Sequence, residues 1–142
     1  MSVTVVYLDI CALKRPFDDA RSERVRREAE AGSNQLVVSP AHRFENDRNP
    51  REDRRLATDL WLQKANRPVD PAGDVEERAR ELTGMGFGPL DALHLAFGEK
   101  AEARWFVTTD DRLLKRAREQ REQIRIAVIG PDQFAVEAEN HE

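Results

Sequence analysis

Four stretches of the chain are almost wholly apolar: 3–8, 36–38, 105–107 and 126–129. Short runs of this kind, without polar alternation, are what strands buried on both faces look like. They predict strands at 3–8, 35–39, 105–107 and 124–129, with a short edge strand at 67–70 that Pro68 weakens. Between them the apolar positions fall at helical spacing. Ser39-Pro40 offers an N-cap followed by a first-turn proline, and Asn49-Pro50-x-Glu52 predicts an Asn-capped helix with Leu56, Leu60 and Trp61 as its core face. Val75, Ala79 and Leu82 mark a helix ending near Gly84 and Gly86. Gly88-Pro89 starts the next, with Leu90, Leu93, Ala96 and Phe97 as its apolar face. Thr109 or Asp110 caps a basic helix over 111–121, and 131–137 forms a closing helix with a frayed tail after about 136. A charged helix over 20–31, closed by Gly32, fills the gap between the first two strands.

Strand and helix therefore alternate, which favours parallel pairing. The expectation is one domain, 1–142, built as a three-layer α/β/α sandwich around a mostly parallel, Rossmann-like sheet with strand one in the centre. Composition adds limits. The chain is 39% hydrophobic and 35% charged, with a single cysteine, Cys11, which excludes an intrachain disulfide and a Cys-based zinc site. No apolar stretch nears the ~18 residues of a membrane span, and the N-terminus does not read as a signal peptide, so the cytoplasm is the expected location. Net charge is −4, yet 19 of the 23 basic residues are arginine, clustered at 24–27, 48–55 and 112–125. Such clusters are ordinarily solvated helix faces, but arginine also suits phosphate contacts.

Candidate chemistry lies in the acids that end these elements. Asp9 follows strand one, Asp110 follows the 105–107 strand, Asp91 sits in a helical first turn, and Glu45 lies in the helix after strand two. Each has an ordinary structural alternative, as a turn, cap or surface residue. Together they can meet, because sites in open α/β sheets form at the C-terminal strand ends. Two carboxylates ~4 Å apart repel by ~4 kcal/mol at an effective dielectric of ~20. Such a group needs protons or a cation, and all-oxygen ligands suit Mg²⁺ or Mn²⁺. The matching reaction class is phosphodiester hydrolysis.

Asp91, Leu93-His94-Leu95-Ala96 and Thr108-x-Asp110-x-x-Leu113 resemble the second half of a PIN-domain nuclease, and Arg15-Pro16-Phe17-Asp18-Asp19 resembles a bacterial branch of that family. The resemblance runs from Val3 to about Phe134. It implies a metal-dependent ribonuclease related to VapC toxins, with Asp9, Glu45, Asp91 and Asp110 as catalytic acids and Asp9, Asp91 and Asp110 on the metal. It also implies an RNA substrate, a homodimer and an antitoxin partner. Asp111 is a weaker substitute for Asp110. Two departures stand out: Ile10 replaces the usual hydroxyl residue after the first acid, and the segment between strands one and two is short.

Those departures motivate an alternative, a catalytically impaired PIN-fold binding or assembly module. Aspartate-based phosphoryl transfer is a further one, but its phosphatase form needs an acid where Cys11 stands. Other residues carry structural expectations. Asp18 and Asp19 cap the next helix, His94 is a partly buried, hydrogen-bonded residue near Asp91, His42 faces solvent, and Cys11 is a small buried side chain. Thr108 and Thr109 could orient the acids.

Overall fold

A computed structural model describes residues 4–11, 34–65, 67–71 and 73–140. The expected helix over 20–31 and the capping role of Asp18 and Asp19 lie outside these residues. The described strands are β1 (Thr4–Leu8), β2 (Asn34–Val38), β3 (Arg67–Pro68), β4 (Trp105–Val107) and β5 (Ala127–Ile129). The described helices are α1 (Pro40–Asp47), α2 (Glu52–Lys64), α3 (Gly73–Gly84), α4 (Pro89–Lys100), α5 (Asp111–Glu119) and α6 (Pro131–Asn140).

The strands form one sheet in the order β3-β2-β1-β4-β5, and every pair is parallel. Strand β1 is central, as its apolar run predicts. Successive residues of a strand face opposite sides. Tyr7, Val37 and Phe106 accordingly enter one core, with Val75 and Leu82 of α3, Leu95 and Phe97 of α4 and Leu113 of α5. Val6, Leu8, Leu36 and Val107 enter the other, with Trp61 and Leu62 of α2 and Phe134 of α6. Two cores on two sheet faces make the three-layer sandwich. Because all strands run the same way, the residues following β1, β2 and β4 emerge on one edge. The exits are pinned there: Asp9 N donates to Val107 O (2.9 Å), and Thr108 N to Ile129 O (3.0 Å).

Several local expectations need correction. Leu56 and Leu60 do not face the core; they are exposed, and α2 is anchored instead by Thr58, Trp61 and Leu62. Helical spacing fits either stripe, and packing on the sheet selected the second. The N-cap of α2 is Arg51, without a side-chain cap, while Asn49 Oδ1 accepts from Arg51 N (3.1 Å) one step earlier. Helix α4 buries Ala92, His94, Leu95, Ala96, Phe97 and Gly98, more of its circumference than one stripe, and leaves Leu90 and Leu93 half-buried. The close approach has a visible cause. A Cβ on Gly98 would stand 3.0 Å from Ile126 Cδ1 and 3.5 Å from Tyr7 Cδ2. The last strand is shorter than 124–129, and the closing helix runs on to Asn140.

Candidate metal centre

Asp9 is positioned by β1 and almost fully buried, 4% exposed. Its Oδ1 accepts from Ile10 N (2.9 Å) and its Oδ2 from Thr108 Oγ1 (2.8 Å) and Cys11 Sγ (3.3 Å). The missing hydroxyl at position 10 is thus made good from β4, across the sheet. Ile10 turns into the core at 1% exposure. Cys11 is half-buried, and burial first, then the Asp9 charge, pushes its thiol up to about 11, so it stays a proton donor to that carboxylate.

Helix α1 begins as its sequence predicts: Ser39 caps it, Pro40 follows, and Ser39 Oγ accepts from His42 N. This start sets Glu45 and His42 on the sheet edge. Among the described residues Glu45 has no arginine partner; its Oε2 lies 3.7 Å from His94 Nε2. Asp91 sits in the first turn of α4, behind Gly88 and Pro89. A helix N-terminus favours the charged carboxylate, yet burial, then the charges of Asp9 and Asp110, and more weakly Glu45, push Asp91 up to about 6, with His94 pulling the other way. Desolvation and crowding outweigh the helix dipole. Asp110 caps α5, its Oδ1 accepting from Arg112 N (2.9 Å) and Leu113 N (3.2 Å). One oxygen of Asp110 is therefore structural, and the other has no partner among the described residues. Asp111 is exposed in the first turn of α5.

Asp9, Asp110 and Glu45 all lie within electrostatic reach of Asp91. The tightest set, however, differs from the expected one. Atoms of Asp9, Glu45 and His94 all lie within 4.8 Å of each other and could hold a cation. His42 is 1% exposed, not solvent-facing, and it stacks on Tyr7 at 4.4 Å. Tyr7 in turn stacks on Phe106 at 4.9 Å. The Tyr7 hydroxyl meets Ser39 Oγ (2.8 Å) and His94 Nδ1 (2.5 Å), and His42 Nε2 donates to Leu8 O (2.7 Å). Burial raises the Tyr7 phenol well above its usual range and lowers His42 to about 3, so both are neutral. The sequence reading missed this network. One signal was available: a lone hydroxyl-bearing aromatic in an otherwise aliphatic strand.

A groove of about 490 Å³ opens beside the acids, lined by Gly86, Gly88, Asp91, Asp110, Arg112, Lys115 and Arg116 among others. Gly86 adopts φ +102, and the Arg116 guanidinium lies across it, 3.1 Å from where a Cβ would stand. Basic side chains thus border an acidic centre. No helix among the described residues is long and apolar enough to cross a membrane.

No family model matches the chain, and no curated protein sequence is similar to it. Solved structures are. VapBC2 from Rickettsia felis, bound to a DNA fragment from their promoter, aligns with a TM-score of 0.61 at 11% identity, over 89% of this chain and 98% of that one. PAE2754 from Pyrobaculum aerophilum gives 0.58 at 15% identity over 99% of both chains. FitAcB from Neisseria gonorrhoeae gives 0.51 at 16% identity, over 89% and 97%. At these identities the likeness is one of fold: the chain has the α/β fold of PIN-domain structures.

Proposed function

We propose that this protein is a Mg²⁺- or Mn²⁺-dependent endoribonuclease that acts as the toxin of a toxin–antitoxin pair. The observation that carries this is the convergence of Asp9, Glu45, Asp91 and Asp110 from separate elements onto one sheet edge, with Asp91 pushed up to about 6 chiefly by burial and by its acidic neighbours. Among the described residues no lysine or arginine pairs with any of the four. The donor set fits a hard divalent cation. Asp9, Asp91 and the second oxygen of Asp110 would hold it, with Glu45 alongside.

The chemistry a bound divalent ion supplies is polarisation of the scissile phosphate and stabilisation of the leaving oxygen. The chain's own residues do the rest. Thr108, Cys11 and the Ile10 amide aim the Asp9 carboxylate. Arg112, Lys115 and Arg116 line the groove that reaches Asp91 and Asp110, where they can grip phosphates flanking the cut. A single-stranded RNA backbone suits such a groove, since a basic wall takes phosphates and the acids take only the one brought with a metal.

The fold shared with VapBC2 and FitAcB supports an antitoxin partner, and we extend the proposal to a homodimer. The alternative, a catalytically impaired module, loses one of its two motives, because Thr108 supplies the contact that Ile10 cannot; the short segment between the first two strands lies outside the described residues. Cleavage of a mixed single-stranded RNA pool by the full chain tests the reading. RNA should be cut with Mg²⁺ or Mn²⁺, not with EDTA, and Asp9→Asn should lose at least about a hundredfold, the scale of removing one key electrostatic contact. Metal-independent cleavage, or an Asp9→Asn protein as active as the parent, would sink it.

A further inference from the structure

His94 Nε2 is a buried nitrogen with no hydrogen-bond partner among the described residues, on a side chain only 1% exposed. A buried imidazole N–H or lone pair left without a partner has given up its hydration with nothing in return, so such groups ordinarily find one. This one points into the acidic centre, 3.7 Å from Glu45 Oε2 and in the same 4.8 Å group as Asp9 and Glu45. Resting on the nuclease reading above, we propose that His94 is a direct nitrogen ligand of the divalent cation. The centre is then a mixed oxygen–nitrogen site that prefers Mn²⁺ and its transition-metal neighbours to Mg²⁺.

The hydrogen bonds behind the ring allow this role. His42 Nε2 must donate to Leu8 O, which leaves His42 Nδ1 as an acceptor for the Ser39 N–H (3.1 Å) and Oγ (3.2 Å). Between His42 and His94 lie two rotatable hydroxyls, Ser39 and Tyr7. If they point one way, Ser39 donates to Tyr7, Tyr7 donates to His94 Nδ1, and Nε2 carries a proton facing Glu45. If they point the other way, His94 Nδ1 donates to Tyr7, Tyr7 to Ser39 and Ser39 to His42, and Nε2 presents a lone pair. Both arrangements use the same heavy-atom positions. A ligating imidazole ordinarily has its second nitrogen held in this manner, which fixes ring and tautomer. An imidazole nitrogen adds affinity along the first-row series, least for Mn²⁺ and more for Fe²⁺ and Co²⁺, whereas Mg²⁺ selects oxygen.

The test is metal binding, separate from cleavage. The metal-free full chain is titrated with Mn²⁺ and Mg²⁺ by calorimetry, and its Mn²⁺ complex is examined by electron spin-echo spectroscopy. We expect a ¹⁴N coupling on the bound Mn²⁺ and tighter binding of Mn²⁺ than of Mg²⁺. His94→Gln keeps a polar side chain of similar reach facing Glu45 but removes the imidazole. It should abolish the ¹⁴N signal and weaken Mn²⁺ on the order of tenfold while sparing Mg²⁺. Tyr7→Phe, which frees the ring's other nitrogen, should weaken Mn²⁺ by about 10- to 100-fold with a smaller effect on Mg²⁺. Bound Mn²⁺ with no ¹⁴N coupling overturns the assignment, even if the His94→Gln protein does not fold. So does an unchanged Mn²⁺ preference in a folded His94→Gln protein. If RNA is still cut with added metal, only this inference falls; if neither cation binds the parent, the nuclease reading falls with it.

Discussion

Helix α4 carries an acid withdrawn from solvent near each end, Asp91 half-buried and the Glu99 side chain almost fully so, and the two are treated in opposite ways. At its C-terminal end Glu99, 4% exposed, is fully answered. Arg78 meets both its oxygens (2.7 and 3.2 Å) and Arg125 N donates to it (2.8 Å), while Arg78 also holds Gln123 O (2.7 Å) and Glu81 (2.9 Å). That knot ties α3, α4 and the approach to β5 together. At the N-terminal end, just over two turns away, Asp91 faces Asp9, Asp110 and Glu45 with no cation from the described residues. An acid whose task is structural is neutralised where it stands. Acids left to repel one another cost stability in the free protein, and that cost is recovered only when something positive arrives.

The largest effect should come from breaking the answered end. Arg78→Met leaves Glu99 buried and unpaired, so it should cost about 3 kcal/mol in denaturant unfolding. A loss under about 1 kcal/mol would mean that the two ends do not differ as described.

At the other end, Mg²⁺ or Mn²⁺ at a hundred times its dissociation constant should stabilise the parent by ~2.7 kcal/mol. At the same metal concentration Asp9→Asn and Asp91→Asn should gain less, and Arg78→Met as much as the parent. Thermal melts with and without metal read this directly. Equal metal stabilisation of Asp9→Asn and the parent would count against a cation on Asp9.

Asp91→Asn should be smaller in effect and opposite in sign to Arg78→Met. The folded protein holds Asp91 at about 6 against an ordinary value of 3.8, so the charged form is disfavoured in the fold. The parent therefore loses stability as pH rises through about 6 and regains it as pH falls toward 3.8. After discounting for solvent at a half-buried carboxylate, Asp91→Asn should be about 1 kcal/mol more stable than the metal-free parent at pH 7.5. By pH 5 that gap should shrink to about half, and near pH 4 it should largely close. The comparison must be between parent and variant, because His42, lowered to about 3, makes the fold lose stability below about pH 6.5 in both. A gap that widens on acidification would contradict the crowding.

Asp110 belongs to both kinds of acid and gives the finest test. Asparagine caps a helix about as well as aspartate, so Asp110→Asn should unfold within about 0.5 kcal/mol of the parent, while Asp110→Ala loses the cap and about 1 kcal/mol. Cleavage should fall in both.

Much of this was present in local sequence. The central strand, Ser39-Pro40 and Gly88-Pro89 as helix starts, Asp110 as a cap and the order of the acids all follow from signals a few residues long. Backbone preference and burial on both faces act at that range. Other features depend on partners far along the chain. Tyr7 reaches Ser39 and His94, and Thr108 reaches back to Asp9, through strand pairings that no short window contains. The inward face of α2 went to Trp61 and Leu62 rather than to Leu56 and Leu60, because helical periodicity defines a stripe and only the opposing sheet surface decides which stripe is covered. His94 shows the division most sharply. The chain's local order put it one turn beyond Asp91; only the packing of α4 against α1 and β1 turned its Nε2 toward Glu45 and buried it there.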